Sequence, residues 1–249
     1  MPGRHTYRTN AIVLDRTKLG EQDLILTLLA SDGSEVRAVA KGARKPGGRL
    51  AARTDLFSEV DLLIAAGRSL DVVSEASLVN AHVGIRGDLD RVSAACATCE
   101  VARLTCFDGT GDPFLYPILS RALRACEEAS DRSHLDLAVA AYAFKVLAHG
   151  GWRPELDQCI ACGDAAPTFF SVGAGGMLCE SCAREVEGAE RVSPSLTSWL
   201  RALLLSTFDQ LMAAEIDADT ALALAGVAHS WATTHLDARL RAFEFMLAS

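Results

Sequence analysis

The chain has 249 residues, of which half are apolar and 22% are charged, and its formal net charge is −8. No apolar run reaches the roughly 18–20 residues that span a bilayer, and the first residues lack the apolar stretch of a secretory signal. We therefore expect a cytoplasmic protein with no membrane partner and with two domains or one elaborated domain. In that compartment its eight cysteines favour metal binding or buried thiols over disulfides.

The first 80 residues are predicted to form strands. Short apolar or alternating runs cover residues 9–15, 24–30, 35–40, 57–65 and 70–78. Turn residues separate these runs, and Asp32-Gly33 between two of them is typical of a hairpin. Short strands at this spacing favour a small closed barrel over a sandwich, because closure hides the strand edges.

Helical spacing of the apolar residues begins after Gly87. Residues that commonly cap or open helices mark the predicted starts, which are Asp88, Asp112-Pro113, Ser133, Ser193-Pro194 and Asp217. The third of these helices is expected to end at Gly150-Gly151. Residues 155–190 interrupt the helical pattern with glycines, a proline and four cysteines. The sequence therefore predicts domains at 1–82 and 83–249, with a non-helical insert at 155–190.

The four cysteines of the insert form two Cys-x-x-Cys pairs. The pairs are Cys159 with Cys162 and Cys179 with Cys182, and sixteen residues separate them. Zn²⁺ prefers tetrahedral thiolate ligation, and a two-residue gap lets both sulfurs of a pair reach one ion. This spacing is typical of a zinc ribbon. We predict one structural Zn²⁺, because four thiolates leave no open position for a catalytic water.

A redox dithiol is the alternative interpretation of such pairs. A thioredoxin-type Cys-x-x-Cys begins a helix beside a βαβ unit, and the sequence predicts no such unit. Cys96 and Cys99 have the same spacing, but they lie within the apolar stripe of a predicted helix. We interpret these two as buried structural thiols.

Positive charge is concentrated in residues 36–54, which contain no acid. The cations of this segment are Arg37, Lys41, Arg44, Lys45, Arg49 and Arg53. Residues 42–49 are predicted to form a mobile basic loop. Phosphate contacts by such a cluster give affinity that is independent of base sequence and falls with salt, so nucleic-acid binding is favoured. Solubility, or pairing with the acidic C-terminal half, is the alternative.

Signals for catalysis are weak. The sequence has neither a phosphate-binding loop nor a nucleophile elbow. The carboxylates Asp15, Glu21 and Asp23 are too scattered to indicate a metal-dependent nuclease, and no two histidines have ligand spacing. We therefore predict no catalytic residue and no enzymatic activity.

The order of these parts resembles the RecO family of bacterial DNA-repair proteins, in its zinc-containing members. The resemblance covers the whole chain, and Lys41-Gly42-Ala43-Arg44 is its most specific local element. It rests on Tyr7-Arg8-Thr9, Ala11-Ile12-Val13-Leu14, Gly20-Glu21-Gln22-Asp23, Val39-Ala40-Lys41-Gly42-Ala43-Arg44-Lys45 and Leu56-Phe57-Ser58. It implies an α+β multidomain fold, in which an N-terminal OB-fold (a five-stranded small β-barrel) precedes an all-α domain with an embedded four-cysteine zinc finger.

The resemblance also implies a DNA-binding recombination mediator that is associated with the nucleoid. Such a protein binds single- and double-stranded DNA and anneals complementary strands. With RecR, and in some bacteria RecF, it loads RecA onto strands coated by single-strand-binding protein. Carried over by position, the DNA contacts are Lys41, Arg44, Lys45, Arg49 and Arg53, with Arg8, Arg16 and Lys18 as weaker candidates. The alternatives are a protein-interaction scaffold with a structural zinc that does not bind DNA, and a metal-dependent nuclease.

Overall fold

A computed structural model describes residues 5–45 and 49–249. Residues 46–48 of the predicted basic loop lie outside the described residues. The described chain divides into two compact units. The first comprises the residues up to Leu89 together with Cys99–Glu127, and the second comprises Asp90–Thr98 and Glu128–Ser249.

The strands of the first unit form a closed barrel. They are β1 (Thr6–Leu19), β2 (Asp23–Ala30), β3 (Glu35–Ala40), β4 (Glu59–Ala65) and β5 (Asp71–Asn80). The order around the barrel is β1-β2-β3-β5-β4, and each pair is antiparallel except β3 with β5. Alternate apolar residues such as Val13, Leu26 and Leu62 fill its interior. This arrangement confirms the predicted five-stranded, OB-like barrel.

The fourth strand begins two residues later than predicted. Phe57 has φ 67°, a left-handed conformation that a strand residue does not adopt, and its N–H donates to the carbonyl of Val13 at 2.9 Å. Regular pairing with β1 therefore starts at Glu59. The apolar pattern alone did not reveal this turn, because Phe57 is buried like its strand neighbours.

The helices and the short strands of the insert are named in chain order. They are α1 (Leu50–Arg53), α2 (Val83–Arg86), α3 (Leu89–Thr105), α4 (Leu115–Glu128), α5 (Arg132–His149), β6 (Phe169–Ser171), β7 (Gly176–Leu178), α6 (Glu180–Ala183), β8 (Glu190–Arg191), α7 (Pro194–Leu205), α8 (Phe208–Met212), α9 (Ala218–Leu236) and α10 (Arg241–Ala248). Within residues 5–45 and 49–249, no helix combines the length and apolarity needed to cross a membrane.

Two of the predicted helix starts are confirmed by their capping bonds. The side chains of Ser193 and Asp217 accept the N–H groups of Leu196 and Thr220, which caps α7 and α9. The prediction that Ser133 begins the third helix is wrong. Asp131 caps α5 instead, because its carboxylate accepts the N–H of His134 at 3.0 Å.

In the second unit, α5 is the central helix. Its residues are buried on almost every side, because α7, α8 and α9 pack around it. Trp231 on α9 packs against Phe144 of α5 and Phe170 of β6, with ring centroids 5.9 Å and 5.8 Å apart. The hairpin of the insert thus joins the helical core through one large aromatic residue.

In the first unit, residues 99–127 pack with the barrel. The N–H of Glu35 donates to the carbonyl of Phe107 at 3.1 Å, and a Cβ on Gly33 would meet the backbone oxygen of Asp112 at 1.7 Å. This compact unit therefore includes residues beyond position 82. The domain boundary predicted at residue 82 stays a prediction. The Asp32-Gly33 hairpin is confirmed, and its glycine has φ 86°.

A buried histidine also attaches α4 to the barrel. His82 is 1% exposed; its Nε2 lies 3.1 Å from Oε1 of Glu59, and its Nδ1 lies 2.9 Å from Oε2 of Glu127. Glu59 further accepts hydrogen bonds from Ser120 at 2.8 Å and Tyr116 at 3.3 Å. Ionised carboxylates only accept hydrogen bonds, so the ring satisfies both by carrying a proton on each nitrogen.

The charged form of this histidine is accordingly favoured. Burial opposes a charged ring, but the hydrogen bonds to Glu59 and Glu127 outweigh it and raise the pKa of His82 above its ordinary value. The hydrogen bond from His82 lowers the pKa of Glu59 in turn. The stabilisation from His82 is therefore complete below its unfolded pKa of about 6.5 and is lost as pH rises through the raised folded pKa.

Replacing His82 by Asn should test this buried network. Asn tolerates the left-handed φ of 43° at this position but bonds only one carboxylate. We expect a loss of about 1–3 kcal/mol in the free energy of unfolding near pH 6.5. Denaturant melts at several pH values should show wild-type stability decreasing above pH 7 more steeply than that of His82→Asn. Parallel pH profiles for the two proteins would contradict a charged His82.

Candidate metal centre and nucleic-acid interface

The structure brings the four predicted metal ligands together. Cys159 and Cys162 lie in the loop before β6, while Cys179 precedes α6 and Cys182 lies within it. Their sulfur atoms all lie within 4.8 Å of one another. A tetrahedral site with Zn–S bonds of about 2.3 Å places its sulfurs about 3.8 Å apart. The 3.7 Å between the sulfurs of Cys162 and Cys179 fits that geometry, so these residues form a suitable metal-binding set.

Backbone hydrogen bonds fix the first cysteine pair in its turn. The N–H of Cys159 donates to the carbonyl of Asp164, and the N–H of Gly163 donates back to the carbonyl of Cys159, both at 2.8 Å. Gly163 has φ 78°, so the turn requires a residue that adopts the left-handed conformation freely. The N–H of Ile160 donates to the carbonyl of Met177 at 2.9 Å, which joins this turn to β7.

Local hydrogen bonds prepare two of the four thiols for ionisation. The backbone N–H of Cys179 lowers the pKa of the Cys159 thiol to about 6. The hydroxyl of Ser181, 3.1 Å from the sulfur of Cys179, lowers the pKa of that thiol. The Cys182 thiol donates a hydrogen bond to the sulfur of Cys179, and this bond, with a smaller contribution from repulsion by the Cys159 thiolate, raises the pKa of Cys182 to about 12. A bound cation would remove that repulsion and favour all four thiolates.

The insert has only a small apolar core around these cysteines. Cys159, Leu178 and Cys179 are buried, and Phe169 and Val186 pack against them half-buried. In the part of the chain that the structure describes, no other group of three or more His, Cys, Asp or Glu residues brings its ligand atoms this close. A metal ion would therefore supply cohesion that the apolar contacts of the insert do not provide.

Four of the predicted DNA-binding cations gather at one end of the barrel. Lys18 and Ala40 both pair with Leu24, so the hairpin between β1 and β2 lies beside the end of β3. The cations there are Lys18, Lys41, Arg44 and Lys45, which we call the basic end cluster. Each of them is exposed. Sequence alone placed Lys18 twenty-three residues from Lys41.

Two backbone bonds hold the loop that carries this cluster. The N–H of Gly42 donates to the carboxylate of Asp23 at 2.7 Å, and the N–H of Arg44 donates to the carbonyl of Gln22 at 2.9 Å. Between them, Ala43 is buried in the barrel core. The described part of the predicted loop is therefore anchored to the hairpin, with its cationic side chains directed to solvent.

The cations at the two ends of α1, Arg49 and Arg53, are also exposed, and Arg53 is anchored. Arg53 donates from Nη1 to the carbonyl of Ala76 at 3.0 Å, while Arg49 precedes the helix. Among the described residues, the ion pairs do not include Arg49 or the lysines of the basic end cluster, Lys18, Lys41 and Lys45. These charges are available to a polyanion.

Arg8 and Arg37 lie apart from the basic end cluster, in a cleft of about 600 Å³. Carboxylates also line this cleft, namely Asp32, Glu35, Asp71 and Asp108. Nε of Arg8 forms an ion pair with Asp61 at 2.7 Å. Burial and a 2.5 Å hydrogen bond to Asp71 raise the pKa of the Tyr7 phenol above its usual range. The surrounding negative charge makes this cleft a poor phosphate site.

Arg16 also forms an ion pair with a carboxylate. Two further arginines, which the sequence did not identify as candidate site residues, form ion pairs nearby. Asp55 bonds both Arg16 and Arg86, and Asp15 bonds Arg103 at 3.2 Å. Arg86 and Arg103 lie in α2 and α3, beyond the predicted DNA-binding domain. No local charge pattern indicated them, because each stands alone among helical residues of mixed character.

Family comparisons cover most of the chain. Residues 3–82 match the model described as the N terminus of recombination protein O, and residues 86–243 match the model of its C terminus. Together the two matches span most of the chain.

Curated relatives with the name DNA repair protein RecO include three from Bifidobacterium. The protein of Bifidobacterium longum subsp. infantis is 38% identical over 85% of this chain and 87% of its own length. That of Bifidobacterium animalis subsp. lactis is 39% identical over 82% and 85%, respectively. That of Bifidobacterium adolescentis is 34% identical over 96% of this chain and 98% of its own length.

Proposed function

Because the chain belongs to the RecO family of DNA repair proteins, we propose that it binds DNA through the basic end cluster and acts as a recombination mediator. The observation that supports this proposal most is the gathering of Lys18, Lys41, Arg44 and Lys45 on one anchored, exposed end of an OB-like barrel. Barrels of this type bind nucleic-acid strands in cationic grooves.

The proposed mechanism is electrostatic. Two complementary strands repel each other through their phosphates, and cations placed between them lower that repulsion. The base pairs then supply the energy of annealing. Tyr7 has its hydroxyl bound to Asp71, and Phe57 is buried, so neither aromatic residue of the barrel is placed for stacking on bases. We therefore propose contact with the sugar-phosphate backbone of both single- and double-stranded DNA.

The partners that we propose are those that the family implies. They are RecR, single-strand-binding protein and, in some bacteria, RecF, acting in the loading of RecA onto coated strands. The second unit carries most of the excess acid, so it should repel DNA and is the better place for protein partners. We propose a cytoplasmic, nucleoid-associated protein without enzymatic activity.

We further propose that the metal of the four-cysteine site is one structural Zn²⁺. Four thiolates close a tetrahedral coordination sphere, and the sulfur separations fit Zn–S bonds. Cys159, Cys162, Cys179 and Cys182 would hold it. The ion would fasten the turn before β6 to the start of α6 within the second unit.

Replacing Lys41, Arg44 and Lys45 together by Ala should weaken binding to oligonucleotides of unrelated sequence by a similar factor. We expect about tenfold weaker binding at low salt, because the variant cannot form three phosphate contacts. The slope of log affinity against log salt should fall by roughly 0.7 for each of these contacts with a single strand. Filter binding or fluorescence anisotropy over a salt series measures both quantities.

The matched control is Arg8→Ala with Arg37→Ala, which removes exposed arginines from the acidic cleft. We expect these changes to alter affinity by less than about threefold, because neighbouring carboxylates already offset their charge. If the control loses as much affinity as the triple variant, the location of the site is wrong. If the triple variant binds like wild type, the chain is better explained as a protein-interaction scaffold.

Replacing Cys179 and Cys182 by Ser should remove the metal without removing DNA binding. We expect zinc content to fall from one ion per chain to none and the melting temperature of the second unit to drop by about 5 °C or more. Metal analysis and the thiolate charge-transfer absorption of a Co²⁺-substituted sample check the site. DNA affinity should stay within about twofold of wild type. A folded variant that loses all DNA binding would contradict a purely structural metal.

A further inference from the structure

Three arginines and two aspartates form a charged group made of two ion-paired sets on the first unit. Arg16 comes from β1, Arg86 from α2 and Arg103 from α3. The Asp55 carboxylate bonds Nη1 of Arg16 and lies 3.5 Å from Nε of Arg86. Asp15, next to Arg16 in β1, bonds Nη1 of Arg103 at 3.2 Å. The group therefore contains one more cation than anion.

The group adjoins the basic end cluster along β1. Arg16 and Lys18 are two residues apart in this strand and so lie on the same face. Lys18 pairs with Leu24, beside Asp23, which holds the loop of Lys41 and Arg44. Positive side chains therefore continue from the loop after β3, past the hairpin, to Arg16 and Arg86, and the ion pair of Asp15 with Arg103 lies across β1 from them.

The backbone fixes the positions of these charges. Nη2 of Arg86 donates to the carbonyl of Leu56 at 3.1 Å and to the hydroxyl of Ser58 at 2.9 Å. Asp55 accepts the N–H of Leu56 at 3.0 Å, and Asp15 accepts the N–H of Arg16 at 2.7 Å. An arginine held in this way presents its remaining donors to an anion without further loss of side-chain freedom.

A DNA phosphate can replace an aspartate carboxylate as the anionic partner of an arginine. Both anions accept paired N–H bonds from a guanidinium, and phosphate does so from two arginines at once. The side chains of Asp15 and Asp55 are each 38% exposed, and that of Arg103 is 47% exposed. Ion pairs this close to solvent contribute little net stability, so exchange of a carboxylate for a phosphate costs little.

We propose that Arg16, Arg86 and Arg103 extend the DNA-binding surface onto α2 and α3, and that Asp15 and Asp55 occupy the phosphate positions when DNA is absent. This inference rests on the proposed DNA binding by the basic end cluster. The two carboxylates act as built-in competitors. They weaken binding to any phosphate backbone and leave the arginines paired in the free protein.

This competition predicts that removing two charged side chains strengthens binding. Asp15→Asn combined with Asp55→Asn should bind a single-stranded oligonucleotide about fivefold more tightly than wild type at low salt. An Asn side-chain oxygen still accepts the N–H bonds of Arg16 and Leu56, so the local fold should persist. Arg103→Gln should bind about fivefold more weakly, and its salt slope should fall by roughly 0.7.

The matched control is Asp157→Asn. Asp157 forms an equivalent ion pair with Arg201 at 3.0 Å in the second unit, so this variant removes a paired carboxylate away from the proposed surface. Its affinity should stay within about twofold of wild type. Circular dichroism and thermal melts confirm that each full-length variant is folded before anisotropy titrations are compared.

The outcomes separate this inference from the proposed function. Suppose that the Lys41, Arg44 and Lys45 variant loses affinity as expected. The inference is then overturned if the double Asn variant binds no tighter than the Asp157→Asn control, or if Arg103→Gln binds like wild type. If that triple variant binds like wild type, the proposed binding through the basic end cluster fails instead. Tighter binding by the double Asn variant together with weaker binding by Arg103→Gln supports the extended surface.

Discussion

The hydrogen bond from the Gly42 N–H to the Asp23 carboxylate is the contact on which the proposed nucleic-acid surface depends. It holds the loop after β3 against the hairpin between β1 and β2, so cations that are distant in sequence become neighbours. Ala43 lies in the same loop, and its burial in the barrel core also fixes the loop in place. The half-buried carboxylate of Asp23 thus positions the cations of this loop. A local field of this kind attracts phosphate even though the whole chain is acidic.

The two units separate two kinds of chemistry. The first carries exposed cations on a closed barrel whose core is formed by buried apolar side chains. The second carries an insert with few apolar contacts, in which four thiols face one another and repel when ionised. The metal ion that we propose there would relieve that repulsion and supply the cohesion that the apolar contacts lack. DNA contact and metal binding should therefore be separable by mutation.

Local patterns predicted what local forces determine. Alternating apolar residues predicted the barrel strands, capping residues predicted the starts at Ser193 and Asp217, and cysteine spacing predicted which sulfurs meet. Long-range contacts were beyond such patterns. The carboxylates around Arg8 and Arg37 come from separate strands and loops, so the charge pattern of the sequence did not reveal the acidic surroundings of Arg37. The packing of residues 99–127 on the barrel was likewise invisible in the periodicity of α3.

Annealing of two complementary oligonucleotides across a salt series, with and without single-strand-binding protein, tests the proposed mechanism most directly. The expected result is that the full-length chain accelerates annealing at low salt, that the acceleration decreases steadily as salt screens the phosphates, and that it persists on coated strands. An annealing rate equal to that of the protein-free reaction at every salt concentration would contradict the electrostatic account, whatever affinity the chain shows for a single strand.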